Sequence, residues 1–228
     1  MTLRKKTRPT LLSDFPRMLK FNDHIIDISM LPDNAVIIDA GACRNVDIPV
    51  SSTSELADDL KNYTIYAIEP ERDNIKLLEQ STSQREDKDS VHLMKKALVG
   101  NNFKGADALY TFNNKPGWSS MIDVGCGQIP KTFDNQYSVD VIKISELCDM
   151  FEHIDYFKMD IEGMEYDIFS TISDKDLKKI QQISIEYHHR SKAETKIMDA
   201  RGICDVLVKS GFDIKYHDEK NFEIYAVR

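Results

Sequence analysis

A chain of 228 residues suits one large α/β domain, or a domain with an N-terminal extension. Hydrophobic residues make up 41%, enough for a packed core, and this excludes general disorder. The formal net charge of -8 argues against a general nucleic-acid coat.

The chain shows no apolar run long enough to span a bilayer, so no membrane span is expected. The basic first ten residues, MTLRKKTRPT, are followed by no apolar region with a cleavage site, so no secretory signal is expected. Cys43, Cys126, Cys148 and Cys204 form no CxxC pair, which argues against structural zinc and a disulfide framework. Free thiols and a cytoplasmic location follow as expectations.

Residues 1–34 read as a lead-in arm, with a small charge run at Lys5, Lys6 and Arg8. Scattered apolar residues between 11 and 31 suggest one short helix packed on a sheet. The principal domain is expected over residues 35–228. It opens with a buried strand: Ala35 to Ile38 are apolar, Asp39 ends the run, and Gly41 permits a tight turn. A helix is expected near residues 52–61. Residues 64–70, TIYAIEP, form the next strand and end on Glu69 and Pro70. An acid at that place in a nucleotide-binding unit accepts hydrogen bonds from ribose hydroxyls.

Residues 91–99 predict a third strand, and residues 108–112 and 137–142 alternate as an antiparallel pair. Between them lies GWSSM, residues 117–121; Trp118 either lines a substrate pocket or covers the core. The sequence IDVGCG, residues 122–127, imitates a glycine-rich ligand loop. Its preceding apolar run is too short for a buried strand, and no helical period follows Pro130. It reads as a loop folding over substrate.

Residues 144–151 suggest a short helix. The stretch FKMDIEGMEYDIF, residues 157–169, then reads as strand, turn and helix. A strand covered on both faces is normally apolar, and Lys158 and Asp160 break that rule. An ionised acid at the rim of a core is costly unless it is paired or useful. Asp160 therefore reads as functional, whereas Glu162 and Glu165 equally suit the helix dipole. Residues 183–188 give a further strand ending near Glu186 and His188. A helix over 193–210 and paired strands at 212–216 and 222–227 close the chain.

The block Lys158, Asp160, Glu162, Gly163, with Glu165 beyond it, resembles the lysine–x–aspartate–x–glutamate–glycine motif of the FkbM family of methyltransferases. Asp39 with Gly41, Glu69 with Pro70, and Ser119 with Ser120 fall in the family's order, so the resemblance spans residues 35–228. It implies a Rossmann-like class I methyltransferase fold, α/β, with a seven-stranded mixed sheet and helices on both faces. It also implies S-adenosylmethionine as cofactor. Asp39, Ala40, Gly41, Ala42, Glu69, Pro70, Ala97 and Asp160 would then border the cofactor. Trp118, Ser119, Ser120 and Glu162 would face the substrate.

Methyl transfer places donor and acceptor in line, and proton removal adds a smaller factor. Asp160 and His188 are the candidate catalytic groups, and no metal is assigned. The expected reaction is O-methylation of a hydroxyl on a sugar or secondary metabolite, with a small-molecule or glycan acceptor and no nucleic acid. The family has asparagine where Cys43 stands and glycine where Asn45 stands. Those departures keep open a degenerate fold that binds without turnover. A nicotinamide-dependent oxidoreductase is disfavoured because GxGxxG is missing.

Overall fold

The structure, a computed structural model, describes residues 10–12, 15–21, 24–42, 62–104, 108–111, 119–121, 134–188 and 200–228. An antiparallel meander comes first: β1 (Thr10–Leu12), β2 (Phe15–Phe21) and β3 (His24–Asp27). Parallel strands β4 (Ala35–Ala40) and β5 (Tyr63–Ile68) follow, then helix α1 (Arg72–Ser83) and strand β6 (Val91–Met94). Short strands β7 (Ala97–Val99), β8 (Ala108–Thr111), β9 (Asn135–Ser138) and β10 (Val141–Lys143) precede helix α2 (Ile144–Asp149). The chain continues through β11 (Ile154–Met159), α3 (Glu165–Thr171), α4 (Asp174–Leu177), β12 (Ile180–Glu186) and α5 (Ala200–Lys209). Strands β13 (Asp213–Asp218) and β14 (Glu223–Val227) end it.

Seven strands make one mixed sheet in the order β13-β14-β12-β11-β4-β5-β6. Strand β14 runs antiparallel to both its neighbours, while β12, β11, β4, β5 and β6 are mutually parallel. The direction of winding reverses between β4 and β11, and a crevice opens there beyond the carboxyl ends of the strands.

Side chains alternate between the two faces of a strand. Ile38, Phe157, Ile183 and Ile224 meet Leu147, Ile168, Leu177 and Ile203 from α2, α3, α4 and α5 in one core. On the opposite face α1 lays Leu78 against Ala67, and β3 lays Ile26 against Ile37, Ile65 and Tyr156. This second face also carries Asp39, Lys158, Gln182 and Ser184, all buried.

The predicted sheet and its helices on both faces are present. The short helix expected between residues 11 and 31 is instead the meander. The β-branched pair Ile25–Ile26 suits a strand, and Ile25 and Ile26 pair with Lys20 and Leu19 across the ladder. The single strand expected over 91–99 is broken. The Lys96 amide turns back to the Met94 carbonyl at 2.9 Å, so β7 leaves the main sheet and pairs with β10. Strands β8 and β9 form the expected antiparallel pair, and β10 is a separate element. The helix expected near 52–61, the 122–127 loop and residues 193–199 lie outside the described residues. Among the described residues no helix is long and apolar enough to cross a membrane.

Candidate active site

The first turn after β4 packs against the first residue after β11. Gly41 has φ 76°, and a Cβ placed there would lie 1.6 Å from the Asp160 carbonyl oxygen. No other residue type fits without moving backbone. The ladder runs on past the strand ends, because the Asp160 amide donates to the Ala40 carbonyl at 3.1 Å. Gly41 and Ala42 donate to the Ile68 carbonyl at 3.0 and 3.2 Å, which ties the same turn to β5.

Lys158 explains the break in the apolar pattern of β11. Its ammonium is buried, donates to the Gly41 carbonyl at 2.7 Å, and stands 3.3 Å from Asp39 Oδ1 and 3.5 Å from Asp160 Oδ2. Burial alone would lower its pKa; the charges of Asp39, Asp160 and Glu186 outweigh that and hold it above its ordinary value. Burial likewise works to raise Asp160, and Lys158, His24 and His188 overcome it, keeping that carboxyl well below its usual range.

The turn from β11 into α3 uses left-handed backbone. Glu162 has φ 53° and Gly163 φ 104°. Glu165 Oε1 accepts from the amides of Ile161 at 3.0 Å and Gly163 at 3.3 Å, and Ser120 Oγ donates to the Glu162 carbonyl at 2.7 Å. His188 sits over this turn. Its Nδ1 lies 3.2 Å from Glu165 Oε1, and its Nε2 lies 3.4 Å from Glu162 Oε2 and 3.8 Å from Asp160 Oδ1 and Glu186 Oε1. Burial disfavours the imidazolium, but Glu165, Glu162 and Asp160 favour it more and raise its pKa well above 6.5. Burial pushes Glu162 up to about 8 against the pull of His188, with Asp160 and Glu165 adding to the rise.

A cleft opens at the strand ends. Gly41, Glu69, Pro70, Ala97, Ser119, Asp160 and Glu162 line it. Glu69 is buried, accepts from the Glu71 amide at 2.8 Å, and is pushed up to about 8, chiefly by burial. Asp39 and Ala40 lie behind the lining, in β4, and Ala42 packs on Ala67 and Leu78. Ser120 holds the turn from behind, and His188 stands against Asp160 and Glu162 at the back of the lining. Trp118 lies outside the described residues. Asn74, Met121, Ile161 and Met164 also line the cleft, and the sequence reading had not singled them out for it.

His24 also escaped the sequence reading. It lies in β3, is 4% exposed, and places Nε2 3.8 Å from Asp160 Oδ2. A histidine 160 positions from its partner Ser184 leaves no local signal. Two triads, His24–Asp160–Glu186 and Asp160–Glu162–His188, each bring metal-ligating atoms within 4.8 Å of one another. The Lys158 ammonium and the His188 imidazolium already supply positive charge to these carboxylates.

The methyltransferase FkbM domain family matches residues 39–214. A comparison with curated proteins finds no match. Among solved structures, the methyltransferase FkbM from Methylobacillus flagellatus KT is 16% identical with a TM-score of 0.50; the match covers 88% of this chain and 45% of that one. The present chain thus spans less than half of that protein's length. Aeropyrum pernix fibrillarin, solved with natively bound S-adenosyl-L-methionine, is 13% identical with a TM-score of 0.45, over 89% of this chain and 70% of that one. A putative rRNA-methylase from Clostridium thermocellum is 9% identical with a TM-score of 0.47, over 86% of both chains. With the family match covering most of the chain, and the sheet order and strand-end cleft in place, this protein belongs to the FkbM family of S-adenosylmethionine-dependent methyltransferases.

Proposed function

We propose that the cleft at the β4–β11 switch point binds S-adenosylmethionine and presents its methyl group to a hydroxyl of a small-molecule or glycan acceptor. The observation that carries this reading is convergence: Gly41, Glu69 and Asp160, from the ends of three strands, line one cleft. The cleft fits the cofactor in kind. Gly41 lines the cleft with main chain alone, so a ligand can approach the backbone there. Glu69 stands where a carboxylate accepts from ribose hydroxyls. Asp160, held ionised by Lys158, offers negative charge to a sulfonium. Ala97 supplies a small apolar wall.

The cofactor, when bound, supplies an activated methyl group. The chain's own residues position it and handle the acceptor proton. Ser119 and Glu162 line the same cleft and, in this reading, meet the acceptor. A base works best when its pKa lies near the working pH. Glu162, pushed up to about 8, meets that condition better than Asp160, which is held low, or His188, which is held as the imidazolium by Glu165. In this reading Glu162 takes the hydroxyl proton. Asp160 orients the cofactor, and the His188 imidazolium offsets the carboxylate of Glu165.

Calorimetric titration with S-adenosylhomocysteine tests the cofactor site, and transfer of labelled methyl to a panel of hydroxylated acceptors tests the reaction. Micromolar binding that is lost in Glu69→Ala supports the reading. Absence of both heat and a thermal shift at millimolar ligand would favour the degenerate fold. The altered positions Cys43 and Asn45 lie outside the described residues, so this titration decides between the two.

A further inference from the structure

We propose that His24, carried by the N-terminal meander and outside the family-matched residues 39–214, is a positioning residue that fixes the Asp160 carboxylate in the cleft. The proposal deepens the reading of the cleft as the cofactor site and rests on it for its binding test.

The argument starts from the polar face of the sheet. Asp39, Lys158, Gln182 and Ser184 lie on the face that β3 covers, and all four are buried. Buried polar groups require partners. Strand β3 supplies them to β12: the Ile25 amide donates to Ser184 Oγ at 3.1 Å, and the Asp27 amide donates to Gln182 Oε1 at 3.0 Å. Gln182 Nε2 donates back to the Asp27 carbonyl at 3.2 Å, and Tyr225 donates to Gln182 Oε1 at 2.6 Å. Ile25 packs with Tyr225 and Val227, and Ile26 with Ile37 and Tyr156. The backbone that carries His24 is therefore anchored along its length.

The ring is oriented from both ends. Its Nδ1 lies 3.3 Å from Ser184 Oγ, and its Nε2 faces Asp160 Oδ2. An unprotonated Nε2 would repel the carboxylate. The proton therefore sits on Nε2, and the Ser184 hydroxyl donates to Nδ1. Burial lowers the His24 pKa, consistent with a neutral ring that orients Asp160 without adding charge. Lys158 approaches the same Oδ2 at 3.5 Å, while Oδ1 lies 3.8 Å from His188 Nε2. With one oxygen met by Lys158 and His24, and the other by His188, the carboxylate has one orientation.

The test compares His24→Phe, which fills the space without a donor, with His24→Gln, which keeps one. Titration with S-adenosylhomocysteine is expected to show His24→Gln binding about threefold tighter than His24→Phe, since the 3.8 Å contact with Asp160 is longer than a hydrogen bond. Equal affinities in the two folded variants overturn the proposal. A ligand-independent reading comes from imidazole 15N spectra of the native chain. The proposal expects a neutral His24 protonated on Nε2 whose signals move in Asp160→Asn; unmoved signals overturn it. A native chain that gives no heat with the ligand, yet shows the moving His24 signals, rejects the cofactor reading and leaves the positioning contact standing.

Discussion

The Lys158 ammonium donates to the Gly41 carbonyl at 2.7 Å, so one buried cation of β11 holds the turn that leaves β4. The two halves of the sheet meet there through a charge rather than through apolar contact alone. Asp39 and Asp160 balance that charge from either side.

Replacing Lys158 by Met leaves Asp39 buried without its cation. Breaking a buried pair in this way costs about 3–5 kcal/mol. The double variant Lys158→Met/Asp39→Leu is expected to recover more than half of the loss. Urea denaturation of the single and double variants measures both, and equal midpoints for the two would contradict the pairing.

Gly41→Ala places a methyl group against the Asp160 carbonyl in a backbone region unsuited to alanine. A destabilisation of at least about 2 kcal/mol is expected, because backbone must move on both strands. A midpoint in denaturant within error of the native chain would show that the turn yields freely.

Glu69 gives a pH dependence with a definite sign. Burial raises its pKa from 4.5 to about 8. A raised pKa favours the folded state fully below 4.5, and that benefit is lost as pH rises through about 8. Thermal midpoints should therefore fall between pH 5 and pH 8 by more in the native chain than in Glu69→Gln. Affinity for S-adenosylhomocysteine should move the other way, increasing through about pH 8 as the carboxylate ionises to accept ribose hydroxyls. A flat affinity profile would remove Glu69 from that role.

His188 should act in the neutral to alkaline range. Its pKa is raised by Glu165, Glu162 and Asp160 against burial, so its contribution is complete below 6.5 and is lost as pH rises through the folded value. His188→Gln is expected to lower stability by about 1.5–3 kcal/mol at pH 7, the scale of a hydrogen bond between charged groups. It should also flatten the alkaline decline. Parallel pH profiles for variant and native chain would argue against a charged His188.

Much of the site was legible because its residues interrupt patterns. Apolar runs that end in an acid marked β4, β5 and β11, and Lys158 stood out in a strand that should have been apolar. Nothing local to Asp39 shows that Lys158 reaches it from the adjacent strand. The meander was missed because its apolar residues are scattered and do not alternate cleanly. Its strands become meaningful only where Ile25, Ile26 and His24 meet a sheet built later in the chain. The broken strand at Lys95–Lys96 was missed for a related reason: the break is set by pairing of β7 with β10, more than a local preference.

Strands β8 and β9 form a two-stranded sheet of their own, paired among the described strands with each other and not with the seven-stranded sheet. Leu109 of β8 and nearby Ser119 nevertheless line the cleft. This wall of the cleft can therefore change without altering the ladder of the seven-stranded sheet. Gly41, Lys158 and Asp160, locked together in the sheet, must be inherited as a set.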